Sequence, residues 1–487
     1  MPDEVKFYDA IIIGAGIVGS SISYYLKDYD MRVLVLEKNS GLASGTTKAN
    51  SGIIHAGYDC KPNTRKARFN VEGAQLTRAL AQTLGIPFKN CGSLVLSFSE
   101  ADDAKVQQLF EQGQMNRVPN IKIIDQKEIL GMVPQINECV RCALYASDAS
   151  VIDPFAFNVT LANNAKLNHV DFHFFEEVRD IQVKKSAADK KNFIVHSNKT
   201  VYETAHLINA AGLYSDEINN MISDKKYTIH PRKGQYYLLD KKCGHYTDKI
   251  LFQVPSEKGK GVLVLPTVDG NILIGPSAET VTSKSDFSTT GETLAAILKT
   301  AKKTIPTLSI KETLNTFAGL RAVSGDDFIV EKLNGLDFYN AVGISSPGLS
   351  GALAIGKHIA TLVTEHHYEK KSTAPELWRF PKRFSECTTD EKEKLLAKDK
   401  RYGRIICSCE TISLAEIINA IHYPIGARTL DDLKRYTRAG AGTCQSGFCN
   451  NDLLKLLARE LDVPPTEILK TNAGSNILTE KNKSSLR

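Results

Sequence analysis

Asp9-Ala-Ile-Ile-Ile13, followed without a break by Gly14-Ala-Gly16-Ile-Val-Gly19, is the stretch whose reading decides the fold. The first five residues form a short apolar run suited to a central parallel strand. The glycine-spaced turn leads into a helical stretch to about Asp28, and a second strand, Arg32-Val-Leu-Val-Leu36, ends in Glu37. Each position has a physical job. Gly14 permits the tight turn, Gly16 lets backbone approach a pyrophosphate, and Gly19 lets helix pack on strand. The helix N-terminus faces the phosphates, and Glu37 accepts hydrogen bonds from a ribose diol. A glycine pattern alone is weak, but here the strand before, the helix after and the acid at the next strand end are all present. The stretch predicts a Rossmann-type dinucleotide site, and Glu37 argues against a 2′-phosphate.

Outward from that site, residues 1 to about 365 alternate apolar strands with amphipathic helices, the pattern of an α/β domain with an α+β substrate region interleaved. Residues 366–403 turn charged and broken, which predicts a linker with one surface helix. Residues 404–470 hold four cysteines in a compact helical unit, and 471–487 read as a polar tail. The 487 residues are 42% hydrophobic and 24% charged with a net charge of +6, an ordinary globular balance that gives no argument for nucleic acid and weakly favours anionic ligands. No apolar run is long enough to span a membrane, and the N-terminus lacks the basic and apolar regions of a secretory signal. Ten cysteines in such a chain read as reduced thiols or metal ligands, and imply a cytoplasmic setting.

Cys407-Ser-Cys409 and Cys444-Gln-Ser-Gly-Phe-Cys449 form the strongest local signal. Four thiolates in two close pairs match a [2Fe-2S] cluster. A structural zinc site prefers CxxC-like pairs, so CxC with Cx4C favours iron–sulfur. Each pair precedes an expected helix. Ser413-Leu-Ala-Glu416 is a capping box opening Leu414 to about His422, and Asn450 or Asn451 caps the second. Both N-termini are expected to face the cluster, and Gly440-Ala-Gly442 to offer N–H groups to its sulfurs. The unpaired CxxC of Cys139 and Cys142 reads as core filler.

The chain carries one dinucleotide fingerprint, where flavoproteins reduced by pyridine nucleotides usually carry two. A further apolar strand, His206-Leu-Ile-Asn-Ala-Ala-Gly212, ends in small residues, and Ala211 and Gly212 allow close contact with a cofactor. With Ala49-Asn-Ser-Gly-Ile-Ile-His-Ala-Gly57, Pro231-Arg-Lys-Gly-Gln-Tyr236, Gly319-Leu-Arg-Ala322 and Gly343-Ile-Ser-Ser-Pro-Gly-Leu-Ser350, Val5 to about Leu362 resembles the glycine oxidase/D-amino-acid oxidase-like flavoproteins. Within them it is most similar to glycerol-3-phosphate dehydrogenases and oxidases and to L-2-hydroxyglutarate dehydrogenase. The resemblance implies noncovalent FAD with Glu37 on the adenosine ribose, Thr46 and Thr47 near the phosphates, Val178 near the adenine, and Gly348, Leu349 and Ser350 under the flavin ring. Ile405 to about Leu461 resembles the bacterioferritin-associated-ferredoxin domain, a module appended to anaerobic-type glycerol-3-phosphate dehydrogenases. That implies electrons leaving through the cluster to a redox partner or quinone-linked acceptor.

Oxidising a secondary alcohol by hydride transfer needs a positioned flavin, a base for the hydroxyl proton and a cation for the substrate's anionic end. An isolated histidine at position 55 reads as a buried structural group; the resemblance of Ser51-Gly-Ile-Ile-His55 to the oxidase segment implies a catalytic base there. Arg321, between Phe317-Ala-Gly-Leu320 and Ser324-Gly-Asp-Asp327, is the expected anion clamp, with a salt bridge to Asp326 or Asp327 as the structural alternative. Lys233 is a second candidate cation, equally readable as a solvated edge lysine. The expected substrate is glycerol 3-phosphate, with L-2-hydroxyglutarate or another 2-hydroxy or imino acid as the alternative. An iron–sulfur transfer or sensing protein with a vestigial flavin fold is the alternative from another class.

Overall fold

The computed structural model describes residues 5–185, 191–255, 261–365 and 368–480. His366 and His367, which open the expected charged stretch, and 481–487 of the expected tail lie outside them. Lys6–Ile13 is the central strand of the first sheet. Val33–Leu36 pairs with it in parallel on one side and Val201–Asn209 on the other; Asp171–His173 and Phe338–Val342 extend the parallel set outward. Ala10, Ile11 and Ile12 are fully buried, as expected for a parallel strand covered on both faces. Helices Ile17–Leu26, Pro154–Leu167 and Gly348–Thr364 pack together against this sheet.

At the carboxyl end of the central strand the backbone is locked from both sides. Gly14 N–H donates to Leu36 O at 2.8 Å, and Ala210 N–H donates to Ile13 O at 3.0 Å. Gly14 sits at φ +107°, and a β-carbon on Gly19 would collide with the Gly14 carbonyl. Both glycines are required sterically, one by backbone conformation and one by helix-to-strand approach.

The chain leaves this sheet repeatedly to build a second, nine-stranded one, so the two regions are interleaved as expected. Its key element is the antiparallel pair His230–Leu239 and Thr313–Val323, which stay in register from His230↔Val323 to Leu238↔Asn315. Pairing places Arg232 opposite Arg321.

The C-terminal unit consists of a small hairpin (Ile405–Cys407 with Ile412–Ser413) and helices Leu414–Ile421, Leu430–Thr437 and Asn450–Leu461. The Ser413/Glu416 capping box forms in full. The second helix start differs from expectation: Cys449 occupies the N-cap, ahead of Asn450, and no side chain caps it.

This unit is not a detached bead. One continuous hydrophobic cluster runs from Ala10, Ile12 and Ala162 to Ile417, Leu433 and Leu457. Ionic contacts reinforce the junction. Arg438 bonds Asp269 at 2.6 Å and Glu410 at 2.9 Å, Lys241 bonds Glu410 at 2.9 Å, and Arg383 joins the same Asp269. Burial works against charge on Asp269, but Arg438 and Arg383 outweigh it and hold the carboxyl below its ordinary range. Removing one partner from such a buried group leaves an uncompensated charge, at a cost of about 3–5 kcal/mol.

The stretch expected to be a linker also packs. Phe380 N–H donates to Leu84 O at 2.8 Å, Asn164 bonds both backbone groups of Trp378, and Phe380 and Phe384 are buried. Its helix, Thr389–Lys398, buries none of its residues. Composition hid the packing because a few aromatic residues anchor an otherwise charged segment. Cys139 is not core filler but exposed, whereas half-buried Cys142 packs against a hydrophobic cluster and bonds Asp103 at 3.3 Å. Among the described residues no helix is long and apolar enough to cross a membrane.

A shared core makes unfolding cooperative. Calorimetry of the intact protein should give one transition for both regions. A separate, earlier transition coinciding with loss of iron would show that the cluster unit folds by itself.

Candidate active site and iron–sulfur centre

The carboxyl ends of the parallel strands and the second sheet enclose a cavity of about 1070 Å³. Gly14, Gly16, Glu37, Thr46, Thr47 and Val178 line it, as do Ala211, Gly212, Gly348 and Leu349. Glu37 is buried and held from behind: Ala15 N–H donates to one carboxylate oxygen, and the Asn39 backbone and side chain to the other, all within 2.9 Å. Thr47 Oγ1 accepts from Ile17 N–H at 3.0 Å, and Thr46 Oγ1 donates to Leu320 O at 2.8 Å. The short turn Thr46–Lys48 thereby ties the first helix to the second sheet.

Two helix N-termini open on this space, those of Ile17–Leu26 and Gly348–Thr364; neither N-cap residue supplies a side-chain cap, while Thr47 Oγ1 takes the first N–H of one and Ser345 O that of the other. Their first N–H groups have no intrahelical partner and concentrate partial positive charge. That donor set fits an anionic dinucleotide. Glu37 fits its ribose, and the small residues at Gly14, Ala211 and Gly212 fit close approach.

Gly19 serves helix packing, as read from its spacing, and does not line the cavity. Ser350 is fully buried beneath it: its Oγ accepts from His55 N–H at 2.8 Å and donates to Ile53 O at 3.3 Å. Ser350 fixes the backbone of the histidine and does not line the cavity.

His55 and Arg321 both reach the cavity. The His55 ring lies 5.8 Å from that of Phe252. Arg321 forms no ion pair with Asp326 or Asp327 among the described residues; Asp327 instead accepts from Arg65 and Lys66 N–H at 2.8 and 2.9 Å. Lys233 does not join them. Its ammonium is buried on the other face of the strand, 2.9 Å from Asp286 Oδ2. The reason is alternation: Arg232 and Tyr236 share the cavity face, while Lys233 and Gln235 face away. The period of the strand thus places Arg232, and not the expected Lys233, on the cavity wall. The sequence reading also missed the pair Ser51 Oγ and Tyr236 Oη, 3.2 Å apart at the cavity wall.

The four C-terminal cysteines assemble as two plus two. Cys407 and Cys449 are buried and hydrogen-bonded to each other; Cys409 and Cys444 form a second bonded pair nearer the surface. The Cys449 thiol and the Gly440 N–H (3.5 Å from Sγ) bring the Cys407 thiol down to about 6. The Phe448 N–H chiefly lowers Cys444, helped by Cys409 and by N–H groups of Ser446 and Gly447. No three such ligands among the described residues surround a single point. Four thiolates in two pairs match the ligand number of a two-iron cluster.

Residues 9–362 match the FAD dependent oxidoreductase family and residues 405–459 the BFD-like [2Fe-2S] binding domain. The chain therefore belongs to the FAD-dependent oxidoreductases and carries a [2Fe-2S] domain at its C-terminal side. It is 44% identical over 486 residues, 99% of this chain and 100% of the other, to glycerol 3-phosphate dehydrogenase of Caloramator mitchellensis. It is 33% identical to glycerol 3-phosphate oxidase of Mycoplasma genitalium over 73% of this chain and 94% of that protein. The FAD-bound L-alpha-glycerophosphate oxidase of Mycoplasma pneumoniae superposes with a TM-score of 0.73 at 29% identity, over 78% of this chain and all of the other.

The two-plus-two arrangement has a direct test. Anaerobically purified protein should contain about two irons and two sulfides per chain, and Cys444→Ser should remove most of both. Zinc in stoichiometric amount in the wild type would overturn the assignment.

Proposed function

We propose that this protein oxidises glycerol 3-phosphate to dihydroxyacetone phosphate and passes the electrons out through its [2Fe-2S] cluster to a redox partner or quinone-linked acceptor. The observation that carries this reading is the convergence of His55 and Arg321 on one cavity with two helix N-termini, in a chain similar over its whole length to a glycerol 3-phosphate dehydrogenase.

FAD, when bound, supplies the acceptor for the hydride leaving the secondary carbon. The side chains do the rest. His55 takes the hydroxyl proton as the carbonyl forms; imidazole suits that transfer near neutral pH. Its backbone is held by Ser350, so the ring starts from a fixed position. Arg321 offers a planar fork to the phosphate, and Arg232 on the paired strand adds a second guanidinium to the same face. Ten cysteines outside disulfides support work in a reducing compartment such as the cytoplasm, any membrane association being made by a partner.

Rapid mixing under anaerobic conditions tests the substrate. Glycerol 3-phosphate should bleach the flavin far faster than L-2-hydroxyglutarate, and the reverse order would assign the chain to 2-hydroxy acids. His55→Ala should slow that bleaching by about 10² to 10⁴-fold with flavin content unchanged; wild-type speed would place the base elsewhere. Arg321→Lys should raise KM about ten-fold, because the fork contributes more than the charge. An unchanged KM would make the arginine structural.

A further inference from the structure

The loop Ser40–Lys48 leads into the turn at Thr46 and Thr47, and its outer side rests on the [2Fe-2S] domain. Asn472 Oδ1 accepts from Ser40 N–H at 3.3 Å and from Ser40 Oγ at 3.4 Å. The carboxylate of Asp432 packs on Gly41, so that a β-carbon there would meet Oδ1 at 2.7 Å. Arg435 donates to Leu42 O at 3.4 Å and to Asp432 at 3.4 Å. Asp432 and Arg435 are 2% and 7% exposed, and Leu42 is fully buried in the core common to both regions. Lys48, at the far end of the loop, lines the cavity, and its ammonium feels burial first and then the charge of Arg435.

Asn472 is itself part of the cavity wall. It lies outside both family matches, which cover 9–362 and 405–459.

We propose that the C-terminal segment completes the FAD site: Asn472 is a cofactor-site residue, and Asp432 and Arg435 are positioning residues that hold the Ser40–Lys48 loop against the dinucleotide. The inference rests on membership in the FAD-dependent oxidoreductases and not on the choice of substrate. Physically, a loop that must present Thr47 to a cofactor loses freedom on binding. Contacts that restrain it beforehand reduce that loss, so affinity rises without a new bond to the ligand.

Binding of FAD to the full-length apoprotein provides the test, followed by flavin fluorescence quenching, with iron per chain measured on the same samples. Asn472→Ala should weaken FAD about three- to ten-fold, the scale of one lost hydrogen-bonding group. Arg435→Met keeps the buried stem and should weaken it comparably. Both variants should keep wild-type iron, and Asn472→Ala its thermal midpoint. Glu460→Gln, which breaks an exposed pair with His422 inside the same domain, should leave FAD affinity unchanged. Wild-type affinity in Asn472→Ala with iron retained would overturn the proposal. So would equal weakening in Glu460→Gln, which would reflect general loosening of the domain. If Arg435→Met loses its cluster, Asn472→Ala alone decides.

Discussion

The carbonyl of Gly14 leaves no room for a side chain at position 19, and most of the cavity follows from that contact. It sets the first helix directly on the end of the central strand, so that the positive end of its dipole emerges between neighbouring strand ends. The same strand end is bonded to Leu36 on one side and Ala210 on the other. The acid that follows Leu36 and the small residues that follow Ala210 are thereby brought to one place. An anionic cofactor needs fixed dipoles and little bulk, and backbone geometry alone provides both.

What could be read in the sequence was what is local. The glycine spacing, Glu37 after its strand and the Ser413/Glu416 box are encoded over a few residues and occur as read. Choices between two faces or two neighbours were harder. Lys233 and Arg232 differ by one position in a strand whose facing is set by a partner some ninety residues later, Arg321. Ser350 sits in a motif shared with flavoproteins, but its hydroxyl turns to the backbone at Ile53 and His55. Charge density from His366 onward suggested a solvated linker, yet Trp378 and Phe380 are enough to bind part of that stretch to the flavin region. Burial is a property of the assembled molecule, and sparse aromatic anchors report it poorly.

The cysteine pairs differ in surroundings as well as in position. Cys407 and Cys449 lie in the core with Gly440 N–H nearby, whereas Cys409 and Cys444 lie toward solvent with Phe448 beside them, 89% exposed. An iron–sulfur centre held in this way has unlike environments at its two ends. Burial and N–H donation tune reduction potential, so these surroundings would act unequally on a cluster held by the four thiolates.

The bond between Ser40 and Asn472 joins residues 432 positions apart. During synthesis the first strand, the glycine turn and the loop after Glu37 leave the ribosome long before their outer support exists. Contacts of such long range form late, after shorter ones have collapsed. Part of the cavity wall, at Asn472, therefore comes from chain that follows the four cysteines of the cluster domain.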